Sequence, residues 1–360
     1  MLHTLSTPQD AVRWLRSRVT GTLRTDSRQV QPGDGFIAWP GGVTDGRAFV
    51  ASALERGAAA CLVEQDGADA FALQGEAVAA FSGLKAATGD IADLWFERPS
   101  DALTVVAVTG TNGKTSTAWW LAHALANWEL HQRTGCALVG TLGIGVPPAL
   151  VSTGMTTPDP VCLQEAFRGY VDQGLAACAI EASSIGIEEH RLDGTRIRCA
   201  IFTNFTQDHL DYHGSMAAYW AAKAKLFSWS GLQTAVVNID DAHGATLAQQ
   251  LQAQGALDVW TLSIHQPARL WAQDIGHSTE GLRFTVVEGD AAVPLQTQVV
   301  GHYNISNLLG VIATLRSLGM PLVQAVQACA HLEPVPGRMQ QIAQAGQPLV
   351  AVDYAHTPDA

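Results

Sequence analysis

Short apolar runs alternate with helix-forming stretches through the middle of the chain. The runs are rich in β-branched residues and alanine, and the stretches between them have the period of an amphipathic helix. This rhythm predicts an α/β fold with a mostly parallel sheet, whose ligands bind at the carboxyl ends of the strands. The predicted strands are Leu103–Val108, Ala176–Ile180, Ala200–Asn204 and Thr234–Asn238, and the predicted helices begin at Thr115 and Ser215.

The N-terminal part of the chain predicts a smaller α/β unit. A strand at Gly35–Trp39 precedes a helix near Arg47–Arg56 and a second strand at Ala59–Glu64. The pattern breaks near Glu97–Asp101, which is a plausible boundary. We therefore predict an N-terminal domain over residues 1–100.

The pattern changes again towards the C-terminus. A β-rich stretch, Val259–Val300, is followed by predicted helices at Ile305–Ser317 and Leu322–Ala330. We predict a central domain over residues 101–337 and the start of a third unit over residues 338–360.

The last residues read as the beginning of a unit. A Pro/Gly segment, Glu333–Met339, leads to a predicted strand at Pro348–Asp353. About 20 residues cannot bury a core of their own. We therefore expect the domain to continue beyond Ala360.

Composition narrows the class of protein. The 360 residues are 47% hydrophobic with 34 glycines, which is ordinary for a soluble α/β protein of two or three domains. The formal charge of −12 argues against a general affinity for nucleic acid, so local cations such as Lys114 or Arg191 must hold any polyanionic substrate. No apolar run is long enough to span a membrane and the N-terminus has no signal-peptide pattern. We expect neither nucleic acid nor membrane as a partner.

The cysteines indicate a reducing compartment. Six cysteines are scattered without a Cys-x-x-Cys pair, and several lie in apolar runs. This distribution is typical of reduced, buried thiols in a cytoplasmic protein. Their positions are Cys61, Cys136, Cys162, Cys178, Cys199 and Cys329.

The segment Gly110–Thr115 is the most specific motif. It follows a predicted strand and leads into a predicted helix over Thr117–Ala126. In this order the loop amides and the helix N-terminus bind phosphate, Lys114 adds a positive charge, and the Thr115 hydroxyl can bind Mg²⁺. Val108 stands where the full P-loop pattern has its first glycine, so the alternative is a glycine-rich turn with an exposed lysine.

Two further strand ends carry candidate metal ligands. Glu181 closes the strand at Ala176–Ile180, and Asp208 and His209 lie just past the strand at Ala200–Asn204. Both motifs fall at the sheet edge that carries the phosphate loop, where they would offer ligands to Mg²⁺. The alternatives are a solvated carboxylate and a helix-capping aspartate with an incidental histidine.

The predicted helix over Ser215–Trp229 places a lysine in an apolar stripe. At about 100° per residue Lys223 falls at the centre of the stripe and Lys225 points the opposite way. Such a lysine usually extends to solvent. If it is buried, its pKa falls and the neutral amine can react with CO₂ to give a carbamate, which bridges metal ions. The stripe consists of Met216, Tyr219, Trp220, Leu226 and Phe227.

A series of motifs along the chain resembles the Mur ligase family, in particular its MurE type. The matching stretches are Asp26–Arg28 with Pro32–Asp34, Thr44–Arg47, the phosphate loop, Thr156–Pro158, Glu181–Ser184, Thr203–Asn204 with Asp208–Gly214, Ala222–Lys223, His302–Asn304 with Asn307, Pro336–Arg338 and Asp353–Asp359.

The resemblance implies a fold and an activity. The fold would comprise an N-terminal UDP-substrate-binding domain, a central ATP-binding domain and a C-terminal Rossmann-like domain of which only the start is present. The activity would be ATP-dependent amide formation through an acyl phosphate. The enzyme would add meso-diaminopimelate, or L-lysine, to UDP-N-acetylmuramoyl-L-alanyl-D-glutamate in cytoplasmic peptidoglycan precursor synthesis, and we expect a monomer.

The resemblance also implies the nucleotide and metal residues. Lys114 and the loop amides would hold the phosphates, with one Mg²⁺ on Thr115 and Glu181 and a second on His209 and a carbamylated Lys223. Arg338 would reach the phosphates, Asp353 would hold the ribose, and Asn304 and Asn307 would lie beside the adenine. The expected catalytic residues are Lys114, Glu181, His209, Lys223 and Arg338, and the phosphate loop comprises Gly110, Thr111, Asn112, Gly113, Lys114, Thr115 and Ser116.

The implied substrate residues form two groups. The first would cradle the uridine nucleotide, and the second would line the path of the muramoyl peptide, with Arg191 as a partner for a carboxylate. For each threonine or serine among them, local capping of the backbone is the alternative. The groups are Thr25, Ser27, Gly42, Val43 and Thr44, and Thr156, Thr157, Ser184, His190 and Arg191.

The chain departs from the family pattern in places. Ile185 stands where many members have histidine, and Met155 where a polar residue is common. The incoming amino-acid site of the family lies in the C-terminal domain, so the choice between diaminopimelate and lysine is not readable here.

Two rival functions fit parts of the pattern. Another Mur ligase or a folylpolyglutamate synthetase shares the phosphate loop and the Asn304 region, but Asp26–Arg28 and Asp208–Gly214 favour the MurE type. A fragment that binds ATP and the UDP substrate without turnover is the alternative outside the enzyme class. It predicts binding of the UDP-linked dipeptide with little phosphate release.

Overall fold

The structure, a computed structural model, describes residues 2–42, 44–278, 281–342 and 350–355. Its strands are β1 (His3–Leu5), β2 (Leu23–Arg24), β3 (Gly35–Ala38), β4 (Ala60–Glu64), β5 (Val78–Phe81), β6 (Thr104–Thr109), β7 (Thr134–Gly140), β8 (Gly143–Val146), β9 (Ala149–Val151), β10 (Leu175–Glu181), β11 (Cys199–Phe202), β12 (Thr234–Asn238), β13 (Asp258–Ser263), β14 (Leu270–Ser278), β15 (Gly281–Glu288), β16 (Ala291–Thr297), β17 (Gln340–Ile342) and β18 (Val350–Val352).

The helices follow the same chain order. They are α1 (Pro8–Arg16), α2 (Val50–Glu55), α3 (Leu84–Trp95), α4 (Lys114–Ala124), α5 (Pro160–Asp172), α6 (Ser184–Glu188), α7 (Leu210–His213), α8 (Met216–Ala224), α9 (Ala242–Gln254), α10 (Tyr303–Ser317) and α11 (Leu322–Ala330).

The chain divides into two compact units. Unit 1 comprises Met1–Ala102, Pro158–Asp172 and Gly186–Thr195, and unit 2 comprises the remaining segments, Leu103–Thr157, Gln173–Ile185 and Arg196–Ala360. The two later segments of unit 1 lie inside the stretch that the sequence assigned to a central domain. The predicted boundaries at 100 and 337 stay predictions.

Unit 1 is built on a parallel sheet of five strands in the order β1-β5-β4-β3-β2. Successive residues of a strand point to opposite faces. Ile37 and Leu62 accordingly join the cluster that includes residues of α1 and α3, whereas Phe36 and Val63 join the cluster under α2. Both faces are buried, which explains why these strands are apolar throughout.

Unit 2 contains a sheet of eleven strands in the order β16-β15-β14-β13-β12-β11-β6-β10-β7-β8-β9. The strands from β7 across to β14 run parallel, and the two ends of the sheet are antiparallel. The prediction of a mostly parallel sheet is therefore confirmed. The hairpin formed by β8 and β9 has no counterpart in the sequence analysis.

Helix α10 lies in the main apolar cluster of unit 2. All of its residues from Leu308 to Leu315 are buried, and the same cluster contains Val106 of β6 and Leu121 of α4. A helix that is apolar around most of its circumference belongs inside a core. The predicted helix at Ile305–Ser317 is confirmed, with its first turn starting at Tyr303.

Most other predicted elements agree with the structure within a few residues. The predicted helix over Ser215–Trp229 is α8 followed by a 3₁₀ turn at Lys225–Ser228. Of the predicted strand Pro348–Asp353, the first two residues lie outside the described residues and the rest contains β18. All six cysteines are free, and all but Cys162 are buried. Among the described residues, no helix has both the length and the apolarity that crossing a bilayer requires.

Truncating the core of α10 should destabilise unit 2 strongly. Leu309 is completely buried, so Leu309→Ala removes buried methyl groups and leaves a cavity, and we expect a loss of about 2–5 kcal/mol in the free energy of unfolding. The matched control is Val323→Ala in α11, whose side chain is 52% exposed, with an expected change within about 0.5 kcal/mol. Urea unfolding measures both, and equal losses would contradict the packing described here.

Candidate active site

The phosphate loop joins the central strand β6 to α4. Gly110 and Gly113 have φ values of +147° and +87°, which favour glycine. A Cβ on Gly110 would lie 1.9 Å from Thr203 Oγ1, and one on Gly113 would lie 2.4 Å from Asn307 Oδ1. Neither position has room for a side chain, so both glycines are required by the fold of the loop.

The segment after β11 holds the loop from one side. The Thr111 amide donates to the Asn204 carbonyl at 2.9 Å, and the Asn112 amide donates to Asn204 Oδ1 at 2.9 Å. The Thr203 hydroxyl donates to the Asn112 carbonyl at 2.6 Å. These bonds fix the loop before any ligand binds, as a pre-organised anion site requires.

Lys114, the first residue of α4, folds back over the loop. Its Nζ donates to the carbonyl oxygens of Gly110 at 2.9 Å and Thr111 at 2.7 Å. Burial lowers the pKa of Lys114, while the carboxylates of Glu181 and Asp208 oppose the shift. The Lys114 amine therefore lies beside the loop, where a bound phosphate would supply a negative charge to pair with it.

Glu181 is the last residue of β10 and is only 1% exposed. The Thr115 hydroxyl donates to its Oε2 at 2.9 Å, and the Thr141 amide donates to its Oε1 at 2.8 Å. Burial raises the pKa of Glu181, against the opposing effects of the Thr141 amide and Lys114. The predicted convergence of Glu181 with the phosphate loop is therefore present.

The donor set around Glu181 fits Mg²⁺. A carboxylate and a hydroxyl are hard oxygen ligands, and Mg²⁺ in phosphate sites takes one or two such ligands and completes its shell with phosphate and water. Among the described residues, no group of three His, Cys, Asp or Glu side chains could hold a metal by itself. Thr115 and Glu181 would therefore supply the protein ligands of such an ion.

Lys223 lies inside the protein. Its side chain is 1% exposed, its Nζ donates to the Gly110 carbonyl at 2.7 Å, and the same atom is 4.4 Å from the ring centroid of Tyr219. Burial, and then the like charge of Lys114, lower the pKa of Lys223 well below the usual lysine value. Lys225 is exposed. The position predicted for Lys223 is confirmed, and the alternative that it extends to solvent is wrong.

His209 also contacts Tyr219, with ring centroids 5.9 Å apart. Asp208 Oδ1 accepts a bond from the His209 amide at 2.8 Å, and Asp208 Oδ2 is 3.4 Å from His209 Nε2. Burial lowers the pKa of His209, while Asp208 opposes the shift. His209 and Lys223 are thus grouped around one ring.

The remaining residues that the family resemblance assigned to nucleotide binding line one cavity of unit 2. Arg338 Nη2 donates to Thr115 Oγ1 at 3.3 Å, and Asp353 Oδ1 accepts a bond from the Met339 amide at 3.2 Å. Asn307 Nδ2 donates to Asn304 Oδ1 at 3.0 Å. Arg338 and Asn307 therefore both reach the phosphate loop, Arg338 at Thr115 and Asn307 beside Gly113.

One cavity of about 560 Å³ in unit 2 collects most of these side chains. Neither Gly110 nor Lys223 lines the cavity. The predicted residues that line it are Thr111, Asn112, Gly113, Lys114, Thr115, Ser116, Thr156, Glu181, His209, Asn304, Asn307, Arg338 and Asp353.

Sequence reasoning missed several residues that line this cavity. Thr141 follows β7, and Asp240 follows β12, both at the carboxyl ends of parallel strands. His265 and His302 stack with ring centroids 6.5 Å apart. The available signal was the same strand-end rule that found Glu181. The residues that received no role are Thr141, Ser183, Asn238, Asp240, Ile264, His265, His302, Tyr303 and Tyr354, of which Ser183, His302, Tyr303 and Tyr354 lie in the stretches that carried the family resemblance.

The substrate residues predicted in unit 2 differ in exposure. Thr156 lines the cavity, but Thr157 is completely buried and its hydroxyl donates to the Glu181 carbonyl at 2.8 Å. Ser184 is 1% exposed, with its Oγ 3.0 Å from His213 Nε2. Thr157 and Ser184 therefore bond within the fold to residues distant in sequence, which is not the local backbone capping given as the alternative. Their substrate role stays a prediction.

Two of the substrate residues predicted in unit 1, Thr25 and Arg191, interact with the same carboxylate. The Thr25 side chain hydrogen-bonds to Asp159, whose charge also interacts with Arg191. Asp159 Oδ1 caps α5 by accepting from the Val161 amide at 3.0 Å. Burial raises the pKa of Asp159. His190 instead pairs with Asp193, at 2.7 Å between Nδ1 and Oδ2.

The predicted uridine loop is described in part. Ser27 is buried, Gly42 and Thr44 are exposed, and Val43 lies outside the described residues. The Gly41 amide donates to the Thr44 carbonyl at 2.9 Å, which closes the loop on itself. The assignment of these residues to uridine stays a prediction.

Two stretches of the chain match family models of the Mur ligases. The Mur ligase middle domain matches residues 108–315, and the Mur ligase family, catalytic domain, matches residues 21–92. The first match includes the phosphate loop, Glu181, His209 and Lys223.

Sequence relatives bear one name, UDP-N-acetylmuramoyl-L-alanyl-D-glutamate--2,6-diaminopimelate ligase. The protein of that name from Acidovorax sp. (strain JS42) is 67% identical over 362 residues, which cover 100% of this chain and 72% of the relative. The protein from Janthinobacterium sp. (strain Marseille) is 45% identical over 359 residues, which cover 96% of this chain and 70% of the relative.

Solved structures agree with the sequence relatives. A structure of UDP-N-acetylmuramoyl-L-alanyl-D-glutamate--2,6-diaminopimelate ligase has a TM-score of 0.78 at 34% identity, and the match covers 94% of this chain and 68% of that chain. MurF ligase from Thermotoga maritima in complex with ADP has a TM-score of 0.65 at 19% identity, over 96% of this chain and 73% of that chain. The second likeness concerns the fold alone.

The buried amine of Lys223 should make stability depend on pH. Its pKa is lower in the folded state, so the unfolded state binds more protons and stability rises with pH from the folded pKa towards 10.5. We expect Lys223→Met to weaken this rise, by at most about 1.4 kcal/mol per pH unit. Urea unfolding from pH 7 to 9 in CO₂-free buffer measures the slope. Lys225→Met, at an exposed site, is the control, and a wild-type slope in Lys223→Met would contradict the prediction.

Proposed function

The chain belongs to the Mur ligase family, and from that premise we propose that it is an ATP-dependent ligase joining diaminopimelate to UDP-N-acetylmuramoyl-L-alanyl-D-glutamate in peptidoglycan precursor synthesis. The substrates are those in the names of its relatives. The observation that carries the proposal is the Thr115 hydroxyl on the buried Glu181 carboxylate, 2.9 Å away, directly beside the phosphate loop.

The proposed chemistry is phosphoryl transfer followed by amide formation. The terminal carboxylate of the D-glutamate attacks the γ-phosphorus of ATP, ADP leaves, and an acyl phosphate forms. The amine of the diamino acid then attacks the acyl carbon, and phosphate leaves as the amide forms. Phosphoryl transfer of this kind depends chiefly on positioning and on stabilising negative charge.

The phosphate loop supplies most of that stabilisation in our proposal. The amides at the N-terminus of α4 bind the β- and γ-phosphates, since those of Thr111 and Asn112 already donate to Asn204. Lys114 exchanges its bonds to the carbonyls of Gly110 and Thr111 for phosphate oxygens. Arg338, whose guanidinium already contacts Thr115, adds a second fixed cation. Both cations reduce the repulsion between the nucleotide and the attacking carboxylate.

We place one Mg²⁺ on Thr115 and Glu181 and a second on His209 and a carbamylated Lys223. Bound Mg²⁺ supplies positive charge that neutralises the phosphate oxygens. Burial favours the neutral form of Lys223, which is the form that reacts with CO₂. Of the two causes that lower the pKa of Lys223, the positive charge of Lys114 also favours a carbamate anion. Burial disfavours that anion as it disfavours the ammonium, and the second Mg²⁺ would offset this cost.

The remaining assignments follow the same proposal. Asn304 and Asn307 lie beside the adenine, Asp353 holds the ribose, and Thr156 faces the muramoyl peptide. In unit 1, Thr25 and Arg191 bind the UDP-linked substrate, supported by their shared partner Asp159. We further propose a cytoplasmic location, in keeping with six free thiols, and a monomer.

The test of the proposed chemistry traps the acyl phosphate. The chain is incubated with Mg·ATP, UDP-N-acetylmuramoyl-L-alanyl-D-glutamate and hydroxylamine, and we expect a hydroxamate of the dipeptide together with equimolar ADP. The UDP-linked substrate that lacks the D-glutamate is the control and should give neither product. ADP formation that is independent of the dipeptide, with no hydroxamate, would refute the proposal. Adding diaminopimelate in place of hydroxylamine tests the complete ligation.

The assignment of Lys223 is tested by chemical rescue. Lys223→Ala should abolish acyl phosphate formation, and short-chain carboxylic acids should restore part of it, because a free carboxylate can occupy the place of the carbamate. Lys225→Ala, at the exposed position two residues on, should keep wild-type activity. The assignment fails if both variants lose activity equally and neither responds to added acid.

A further inference from the structure

Glu181 lies against a glycine of the neighbouring strand. Strands β10 and β7 run parallel with Ile180 opposite Val139, so Glu181 is beside Gly140, the last residue of β7. A Cβ on Gly140 would lie 2.2 Å from Glu181 Oε1 and 2.8 Å from its Cδ. The carboxylate occupies the space that a side chain at position 140 would fill.

The backbone of Gly140 does not itself call for glycine. Its φ lies outside the left-handed region, unlike the φ of Gly110 or Gly113. The obstacle to a side chain is the end of the flexible Glu181 side chain, since all three of the nearest atoms belong to it. A methyl group at position 140 would therefore displace the carboxylate and leave the strand in place.

Thr141 holds the same carboxylate from the next position. Its amide donates to Oε1 at 2.8 Å, and its Oγ1 is 3.4 Å from Oε2 and 3.1 Å from Thr156 Oγ1. The Thr115 hydroxyl donates to Oε2 from the opposite side. The hydrogen bond from the Thr141 amide thus occupies Oε1, and Oε2 is the oxygen that faces Thr115.

We propose that Gly140 and Thr141 are positioning residues that seat the Glu181 carboxylate for Mg²⁺. The inference rests on the proposed function, since the cation is the one that accompanies ATP. Hydrogen bonds to a metal-binding carboxylate fix its orientation, and losing such partners typically weakens metal affinity about 10–100-fold. Gly140 and Thr141 position the carboxylate before the nucleotide binds, because all of these contacts lie within the protein.

The decisive variant is Gly140→Ala, tested on the full 360-residue chain. A fluorescent ADP analogue is titrated with and without Mg²⁺, and Mg²⁺ is titrated at fixed analogue. We expect the Mg²⁺ midpoint to rise about tenfold, with the Mg²⁺-free nucleotide affinity unchanged. The melting temperature should fall, because the displaced buried carboxylate loses hydrogen bonds, while the folded protein still binds the nucleotide without Mg²⁺.

The matched control is Gly276→Ala in β14. A Cβ at Gly276 meets a single atom within 4 Å, Arg283 Nη2 at 4.0 Å, and its φ lies outside the left-handed region. This variant should match the wild type in Mg²⁺ midpoint, nucleotide affinity and melting temperature. A wild-type Mg²⁺ midpoint in Gly140→Ala would overturn the proposal. An equal loss of Mg²⁺-free affinity would do the same, because it indicates general damage to the loop.

A second pair of variants decides the question if Gly140→Ala does not fold. Thr141→Val keeps the amide bond and removes the hydroxyl, and we expect the Mg²⁺ midpoint to rise about threefold, as for the loss of one hydrogen bond. Thr141→Ser keeps the hydroxyl and should retain the wild-type midpoint. Wild-type Mg²⁺ midpoints in both variants would overturn the proposed positioning role of Gly140 and Thr141.

The two proposals fail in different ways. Wild-type protein without any Mg²⁺-dependent nucleotide binding refutes the proposed function and this inference with it. If the wild-type protein shows Mg²⁺-dependent nucleotide binding and the variants have the same Mg²⁺ midpoint, only the positioning role of Gly140 and Thr141 is refuted.

Discussion

The candidate active site depends on one carbonyl oxygen. The oxygen of Gly110 accepts a bond from Lys114 Nζ at 2.9 Å and another from Lys223 Nζ at 2.7 Å. Two amines are thereby held beside the phosphate loop, next to the N-terminus of α4, whose first residue is Lys114. Burying two like charges is expensive, and the structure lowers the pKa of both lysines. The arrangement becomes favourable when phosphate oxygens, or the carbamate that we propose on Lys223, supply negative charge.

The surrounding fold makes that arrangement rigid. Strand β6 is buried along its whole length, and α4 and α10 contribute to the apolar cluster that also contains residues of β6. Sites built on strand ends and helix starts are held more firmly than sites on long loops. Because the loop is fixed by bonds from Thr203 and Asn204 as well, the anion site exists before its ligand arrives. Little ordering entropy then remains to be lost when a nucleotide binds.

Glu181 shows the same economy on the acidic side. A buried carboxylate is tolerated only when hydrogen bonds satisfy it, and its oxygens accept from Thr141 and Thr115. The same bonds orient it towards the phosphate loop. In our proposal, satisfying the buried carboxylate and aiming a metal ligand are one structural solution, and Gly140 belongs to it because a side chain there would occupy the carboxylate's place.

The sequence by itself determined what local patterns encode. The alternation of strands and helices, the phosphate loop between a strand and a helix, and the place of Lys223 in an apolar stripe all follow from periodicity and from glycine and lysine spacing within a few turns of chain. That this lysine is buried, against Gly110 and Tyr219, was decided by the tertiary structure. The rule that strand ends share an edge also brought Glu181 and His209 near the loop. Only the tertiary structure decided which strands are neighbours. The order β6-β10-β7 places Glu181 beside Gly140 and Thr141, and the fold of unit 1 joins Asp159 to Thr25. These partners are far apart along the chain, and lateral strand order and register are set by packing of the whole sheet, which no local period records.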